Sequence, residues 1–143
     1  MKEIAGKCLC GDVTFKACGE PVELHACHCS MCRQQNGGSA FIGLHTAEGV
    51  KLGKTDGLTW YQASEHGDRG FCKTCGATLF WRMQGEEKDF SVSVGTLAET
   101  DGLKLSSHIF TDEAPQYYTL PDDAPHKTGA QVLEEFMESQ KNV

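Results

Sequence analysis

The feature that most constrains this chain is a run of three cysteines within six positions, Cys27, Cys29 and Cys32. The C-x-C step places two side chains on the same side of an extended backbone, and the following C-x-x-C step brings a third sulfur back toward them. Three thiolates then converge on one tetrahedral metal ion. A structural zinc has four protein ligands, whereas a catalytic zinc keeps one position for water or substrate. The missing fourth ligand therefore predicts an exchangeable metal site.

Other side chains near this triad leave alternatives open. His25, His28 or Cys18 could supply a fourth ligand, in which case the site would be closed and structural. Neighbouring thiols can also form a redox-active disulfide, but the sequence lacks the βαβ pattern of thioredoxin-like proteins. Cys18 itself is interpreted as a small buried apolar residue, because free cysteines are most often of that kind.

Two further cysteine pairs predict a second metal site. Cys8 and Cys10 lie in a predicted strand just before a turn at Gly11-Asp12 and should share one face, and such a pair supplies only half of a closed tetrahedron. Cys72 and Cys75 form a C-x-x-C pair followed by a glycine, as in a zinc knuckle, where the glycine lets the backbone turn and point amides at sulfur. We expect the two pairs to bind one structural zinc together.

Composition limits the compartment and the partners. The chain has 143 residues, which fits one domain over residues 1–143. The sequence shows no secretory signal and no apolar run of membrane-spanning length, so we expect a cytoplasmic protein without a membrane partner. In a reducing compartment its eight cysteines are expected to bind metal rather than form disulfides. The 20 acidic and 13 basic residues give a net charge of -7, which argues against nucleic acid as a partner.

Alternation of apolar and polar residues predicts a mainly β chain. Short alternating segments recur about every ten residues and are separated by turns that contain glycine. The predicted strands cover residues 13–15, 22–24, 40–44, 57–61, 77–82, 90–94 and 107–110. A single helical turn is predicted at 33–38, and a turn at 67–70.

The last segment predicts a helix. Thr128 is suited to cap it, and Gln131 to complete a capping box. Four apolar residues then form one stripe at helical spacing, which is expected to pack into the core: Val132, Leu133, Phe136 and Met137. The predicted fold class is therefore mainly β, a single domain of small antiparallel sheets held by zinc, with one C-terminal helix.

Three large or titratable residues carry weaker signals. His108 is a candidate general base, but a single histidine in a short apolar strand is more often a structural residue, and we interpret it so. Trp60 and Trp81 are interpreted as core residues rather than as a platform for substrate.

Three segments in this order resemble the glutathione-dependent formaldehyde-activating enzyme (GFA) family. They are residues 6–11, 27–33 and 71–76, with the cysteines at the positions described above. His108-Ile109 with Ala114-Pro115 is similar to the family's C-terminal signature, although Gln116 stands where many members have tryptophan. The resemblance covers about residues 4 to 120.

The resemblance implies a fold, two metal sites and an activity. It implies small zinc-dependent β-sheets like those of a Rab nucleotide-exchange chaperone, and two zinc ions per chain, with the second site open to partial occupancy. It implies a structural zinc at Cys8, Cys10, Cys72 and Cys75, and a catalytic zinc at Cys27, Cys29 and Cys32. The implied reaction is reversible formation of S-hydroxymethylglutathione, which is carbon-sulfur lyase or synthase chemistry with a small thiol such as glutathione as partner.

Ligand chemistry favours such a reaction over hydrolysis. Three thiolates donate strongly, so the metal is a weaker Lewis acid than a three-histidine zinc and is better suited to thiol exchange. The alternative function is a non-catalytic β module held by zinc that binds a protein or senses metal. A methionine sulfoxide reductase would need two C-x-x-C pairs for metal and a separate nucleophilic cysteine, a pattern that this sequence does not contain.

Overall fold

Strands make up most of the regular structure in residues 2–141, which are the residues described by this computed structural model. The strands are β1 (Glu3–Lys7), β2 (Thr14–Cys18), β3 (Pro21–Cys27), β4 (Phe41–Thr46), β5 (Gly49–Leu52), β6 (Leu58–Gln62), β7 (Gly67–Cys72), β8 (Thr78–Met83), β9 (Phe90–Ser93) and β10 (Ser107–Ile109). The α-helices are α1 (Ser30–Gln35) and α2 (Gly129–Lys141). The predicted mainly β class is confirmed.

The described residues divide into two compact units. The first contains the chain up to Leu24 together with Ile42–Leu103, and the second contains His25–Phe41 together with the chain from Lys104 onward. The expectation of one domain over residues 1–143 stays a prediction. No helix of residues 2–141 combines the length and the apolar character that crossing a membrane requires.

The first unit is built from antiparallel strands. β2 pairs with β1 on one side and with β5 on the other, and β9, β8, β7 and β6 follow β4 in a second array. Alternate residues of β1 are buried, as expected for strands with one face on a core. In that core the ring of Phe80 lies 4.9 Å from Phe15 and 5.1 Å from Phe90, between ring centroids.

The predicted turn at 67–70 is wrong, because these residues belong to β7 and pair with β6 and β8. Their glycines serve close packing: a Cβ on Gly67 would lie 2.6 Å from Trp81, and one on Gly70 would lie 2.9 Å from Trp60. Asp68 is buried and accepts a hydrogen bond of 2.9 Å from Arg82. A G-D-R-G sequence therefore forms a central strand here because aromatic rings and an ion pair occupy its faces.

In the second unit, β10 runs parallel to the end of β3. Its residues pair Ser107 with His25 and Ile109 with Cys27. This pairing fixes the backbone directly before the central cysteines, and the amide of His28 extends it by donating to the carbonyl of Ile109 at 3.0 Å.

Helix α2 has the predicted capping box. The amide of Thr128 donates to Gln131 at 2.8 Å, and the amide of Gln131 donates to the Thr128 hydroxyl at 3.2 Å. The expectation that its apolar stripe packs into the core is wrong. Leu133 and Met137 are 55% and 60% exposed, and only Val132 and Phe136 are half-buried. The periodicity specifies a helix with an apolar face, but it does not specify what covers that face.

Candidate metal centres

Four sulfur atoms of the first unit form one group, which we call the four-cysteine group: Cys8, Cys10, Cys72 and Cys75. All four Sγ atoms lie within 4.8 Å of one another. The sulfur of Cys10 lies 3.7 Å from that of Cys8 and 3.8 Å from that of Cys72. A tetrahedral zinc with bonds of about 2.3 Å holds its sulfurs roughly 3.8 Å apart. The group therefore fits a four-thiolate metal site.

Local backbone geometry places these sulfurs. Gly76 directly follows the C-x-x-C pair with a left-handed φ of 77°, and its amide donates to the carbonyl of Cys72 at 2.7 Å. The amide of Val13 donates to the sulfur of Cys8 at 3.3 Å. Gly57 lies so close that a Cβ there would be 2.6 Å from the sulfur of Cys72. The predicted glycine turn is confirmed.

Backbone amides favour the thiolate form of two members of this group, whereas burial and the neighbouring thiols raise the pKa of Cys10 to about 12 against an amide hydrogen bond from Asp12. The amide hydrogen bond from Ala77 is the main cause that lowers the pKa of Cys75 to about 6. Burial acts to raise the pKa of Cys8, but the amide of Val13 and the neighbouring thiols lower it overall. Amides aimed at sulfur stabilise negative charge, which suits thiolates that bind a cation.

Three sulfur atoms of the second unit form another group, which we call the three-cysteine group: Cys27, Cys29 and Cys32. Their Sγ atoms also lie within 4.8 Å of one another, and all three residues are buried. Cys29 is the N-cap of α1, where its sulfur accepts the amide of Cys32 at 3.4 Å. The predicted helical turn at 33–38 therefore begins earlier, at Ser30, because a thiol here takes the capping role that serine or aspartate usually fills.

The surroundings of this group oppose ionisation without a cation. Hydrogen bonding with Cys29 and Cys32, together with burial, raises the pKa of Cys27 far above the usual range for a thiol. Cys29 and Cys32 have their sulfurs only 3.3 Å apart. Three buried thiols at this spacing need a positive charge to become thiolates, so the donor set fits a soft divalent metal.

None of the three candidate fourth ligands belongs to this group in the described residues. The ligand atoms that lie within 4.8 Å of one another include no atom of His25, His28 or Cys18. Both ring nitrogens of His28 bind other partners, as described below, and the sulfur of Cys18 lies 3.7 Å from a carboxylate oxygen of Glu3. Cys18 is half-exposed rather than buried. The metal roles of both groups stay predictions.

A row of polar side chains adjoins the three-cysteine group, and we call it the imidazole network: Asp122, His108, His28 and Tyr118. The Nδ1 atom of His28 lies 2.7 Å from the hydroxyl of Tyr118, and its Nε2 atom lies 2.9 Å from Nδ1 of His108. The Nε2 atom of His108 lies 2.8 Å and 2.9 Å from the two carboxylate oxygens of Asp122. The network thus links the residue between Cys27 and Cys29 to a carboxylate.

Neighbouring groups hold the network in place. His108 is 1% exposed, and its ring stacks on that of His126 with centroids 4.3 Å apart. Arg33 donates from Nε to the carbonyl of His28 at 3.1 Å. Burial, followed by the charge of His108, lowers the pKa of His28, so this ring is neutral near pH 7. The hydrogen bond from His108 lowers the pKa of Asp122, which is therefore a carboxylate.

Sequence reasoning misses most of this network. His108 is buried and hydrogen-bonded, as a structural residue would be, but it also joins His28 to Asp122. Neither Asp122 nor Tyr118 carries a motif. The one available signal is a cluster of Tyr, Asp and His after β10, in a stretch without strand or helix periodicity.

Comparisons with known proteins agree with the resemblance seen in the sequence. The pattern of the glutathione-dependent formaldehyde-activating enzyme family matches residues 3–113. An uncharacterized lyase of Schizosaccharomyces pombe is 26% identical over 97% of this chain and 98% of its own length. A crystal structure of a Rhodobacter sphaeroides protein superposes with a TM-score of 0.53 at 20% identity, over 85% of this chain and 98% of that one, which shows a shared fold.

Proposed function

Because the chain belongs to the glutathione-dependent formaldehyde-activating enzyme family, we propose that it is a zinc-dependent carbon-sulfur lyase that also acts as a synthase. It joins a small thiol such as glutathione to a small carbonyl compound, and it splits the S-hydroxymethyl adduct in the reverse direction. The name of the yeast relative, a lyase, supports the enzyme class.

The observation that carries the proposal is the three-cysteine group. Its three sulfurs are gathered within 4.8 Å, and no further His, Cys, Asp or Glu ligand atom joins them among residues 2–141. A metal bound there keeps a position for an incoming thiol. The four-cysteine group, in contrast, offers a complete set of ligands and is proposed to bind a structural zinc.

The chain's own residues prepare the site for a thiol. When bound, zinc would supply Lewis-acid activation that favours the thiolate form of the substrate. Burial of Cys27, Cys29 and Cys32 excludes bulk water, which strengthens local electrostatic interactions and suppresses hydrolysis. Arg33 and the cap at Cys29 fix the backbone that presents these sulfurs.

Compartment and partners follow from the same chemistry. Seven of the eight cysteines lie in groups that could hold a metal ion, which suits a reducing compartment, and we propose the cytoplasm. The proposed partner is a small thiol. A net charge of -7 argues against a nucleic acid.

X-ray absorption at the zinc edge tests the proposal. The purified protein is expected to contain about two zinc ions per chain, a number that follows from one complete and one incomplete thiolate set. Adding glutathione should raise the average sulfur coordination, and S-methylglutathione, which lacks a free thiol, should not. With formaldehyde also present, carbon-13 NMR should show faster exchange into the S-hydroxymethyl adduct. If both zinc ions have only protein ligands and their coordination does not change when glutathione is added, the catalytic proposal is contradicted.

A non-catalytic binding module remains the second candidate, and one observation favours it. Leu133 and Met137 of α2 are more than half exposed, which leaves an apolar helix face for a partner. Replacing both by glutamine separates the two candidates: an enzyme should retain adduct formation, whereas a binding module should lose its partner and show no turnover with or without the substitutions.

A further inference from the structure

A groove with a volume of about 890 Å³ opens on the first unit, and every residue that lines it belongs to that unit. Its volume lies in the range of binding sites for small molecules. One wall is the sheet of β1, β2 and β5, in that order. Strand register places six of the lining residues on one face of this sheet: Ala5, Lys7, Thr14, Lys16, Lys51 and Gly53. The groove is therefore built on paired strands, which fix the positions of these residues.

Three lysines of this face lie close together without a carboxylate partner. Lys16 and Lys51 are direct cross-strand partners, and Lys7 lies two positions from Ala5, which pairs with Lys16 on its other side. The Cβ atoms of directly opposite residues are about 5 Å apart, and those of diagonal neighbours about 7–8 Å. Among residues 2–141, no ion pair involves any of the three amino groups. Like charges directly opposite one another destabilise a sheet. In a chain with a net charge of -7, such a cluster indicates a site that attracts an anion.

Thr14 adds a neutral donor beside the lysines. Its hydroxyl oxygen accepts the amide of Lys54 at 2.8 Å, so its own hydrogen can be donated to a ligand. A phosphate monoester carries about 1.5 to 2 negative charges near pH 7 and has three strong acceptor oxygens. A carboxylate carries one charge on two oxygens. Three ammonium groups and a hydroxyl therefore match a phosphate better than a carboxylate, in charge and in the number of acceptors.

Apolar side chains line the rest of the groove. Leu9 is 85% exposed and Leu52 is 36% exposed, and both line the groove together with Phe15 and Leu97. Leucines that are open to solvent beside ammonium groups suit a ligand with an apolar body behind its charged head. The concave shape admits a single molecule, whereas binding to a lipid surface needs an apolar face that lies flat in that surface.

We propose that this groove binds a free phosphate monoester with an apolar body. The phosphate lies at Lys7, Lys16 and Lys51, and the body packs against Leu9 and Leu52. The bound dianion offsets the repulsion between Lys16 and Lys51, so binding also stabilises the sheet. The assignment is independent of the thiol reaction proposed above, because no cysteine serves as a ligand for the ester, and either proposal can fail without the other.

Calorimetric titration of the zinc-loaded protein near pH 8 and at low salt tests the assignment, with octyl phosphate as the probe. One ester is expected to bind per chain. Methyl phosphate, which lacks the apolar body, should bind more than about tenfold more weakly, and octanoate, which has a similar chain but a single charge, about fivefold more weakly. Sodium chloride at about 0.5 M should weaken the binding of octyl phosphate, because salt screens the lysines.

Substitutions of single lysines locate the site. Lys16→Gln and Lys51→Gln each remove one charge at an exposed position and should weaken octyl phosphate binding about fivefold. Without ligand, each should raise the melting temperature by about 1–3 °C, because the like-charge pair is gone. Lys51→Arg keeps the charge and should bind like the wild type. Lys104→Gln, at an exposed lysine outside the groove, should change neither property.

Four results would each overturn the assignment. Octyl phosphate at millimolar concentration gives no binding heat, or methyl phosphate or octanoate binds as tightly as octyl phosphate. Lys16→Gln and Lys51→Gln bind the ester as tightly as the wild type, which would place it elsewhere, for example at a metal. Vesicles that contain phosphatidic acid retain the protein while octyl phosphate does not bind, which would indicate a lipid surface instead. The ligand series and the salt dependence need no variant, so they decide even if a substitution disturbs the fold.

Discussion

The two cysteine groups use the same ligand atom but are built in opposite ways. The four-cysteine group joins residues that lie far apart in the sequence, with Cys10 and Cys72 separated by 62 positions, whereas the three-cysteine group lies within six consecutive positions. A metal bound to the first closes a long loop and therefore restricts the unfolded chain strongly, and a metal bound to the second closes almost none. The difference favours the proposal that the four-cysteine group stabilises the fold and that the three-cysteine group serves chemistry.

Their electrostatics differ as well. Amides from Ala77 and Val13 lower the pKa of Cys75, to about 6, and that of Cys8, whereas burial and the neighbouring thiols raise the pKa of Cys10 to about 12 against an amide hydrogen bond from Asp12. In the three-cysteine group the sulfurs mainly face one another, and the pKa of Cys27 is raised. Amides that face sulfur thus prepare two members of the first group for a bound cation, and neither group ionises completely without one.

The largest effect is expected for Cys72→Ser. Losing one ligand of a closed four-thiolate site should remove most of a contribution on the order of 10 kcal/mol, because structural zinc binding is coupled to folding. Far-UV circular dichroism and thermal melting measure the loss, with Cys18→Ser as the control for a cysteine outside both groups. A folded Cys72→Ser protein with an unchanged melting temperature would refute the structural role.

An equal loss is expected for Cys8→Ser, although Cys8 lies 64 positions before Cys72 in the sequence. Both residues contribute to one group of sulfurs, so removing either should give the same unfolded or insoluble protein. Far-UV circular dichroism and soluble yield of both variants make the comparison. Clearly different stabilities would show that the two pairs do not share one ion.

A smaller effect is expected for Gly57→Ala. The added methyl group would lie 2.6 Å from the sulfur of Cys72 and must displace it, which should cost about 1–3 kcal/mol in the free energy of unfolding and weaken zinc retention. Gly95→Ala is the matched control, because no heavy atom of the described residues, apart from its chain neighbours and its own short helix, lies within 4 Å of the position that its methyl group would take. Chelator competition followed by urea unfolding reports both quantities. Identical behaviour of the two variants would mean that the close approach at Gly57 is unimportant.

The smallest change in stability is expected for Cys29→Ser, together with complete loss of thiol-dependent activity. Serine is a preferred N-cap, so α1 should keep its start while the three-cysteine group loses a ligand. The measured zinc content should fall to about one ion per chain, and the melting temperature should stay nearly unchanged. If Cys29→Ser unfolds as completely as Cys72→Ser, both groups have a structural role, and the proposed difference between them is wrong.

Parts of the fold were predictable because their signals are local. Alternation predicts the paired strands β8 and β9, and Thr128 with Gln131 predicts the start of α2. The glycines of β7 misled the prediction, since Gly67 and Gly70 make room for tryptophan rings from other strands rather than for a turn. The prediction that the apolar stripe of α2 packs into the core was also wrong. Periodicity shows which residues share one face of a helix, but it does not show what packs against that face.

The sequence by itself determined which cysteines group together, as a set of four and a set of three. The residue types and their short spacing can be read directly from neighbouring positions, and two cysteines, which are too few for a four-ligand metal site, require a second pair elsewhere in the chain. Only the tertiary structure decided that Cys29 caps a helix and that Tyr118, His28, His108 and Asp122 form one network. The contacts of His28 with Tyr118 and His108 span 90 and 80 positions, and no periodicity or spacing rule encodes a hydrogen bond between polar side chains that far apart.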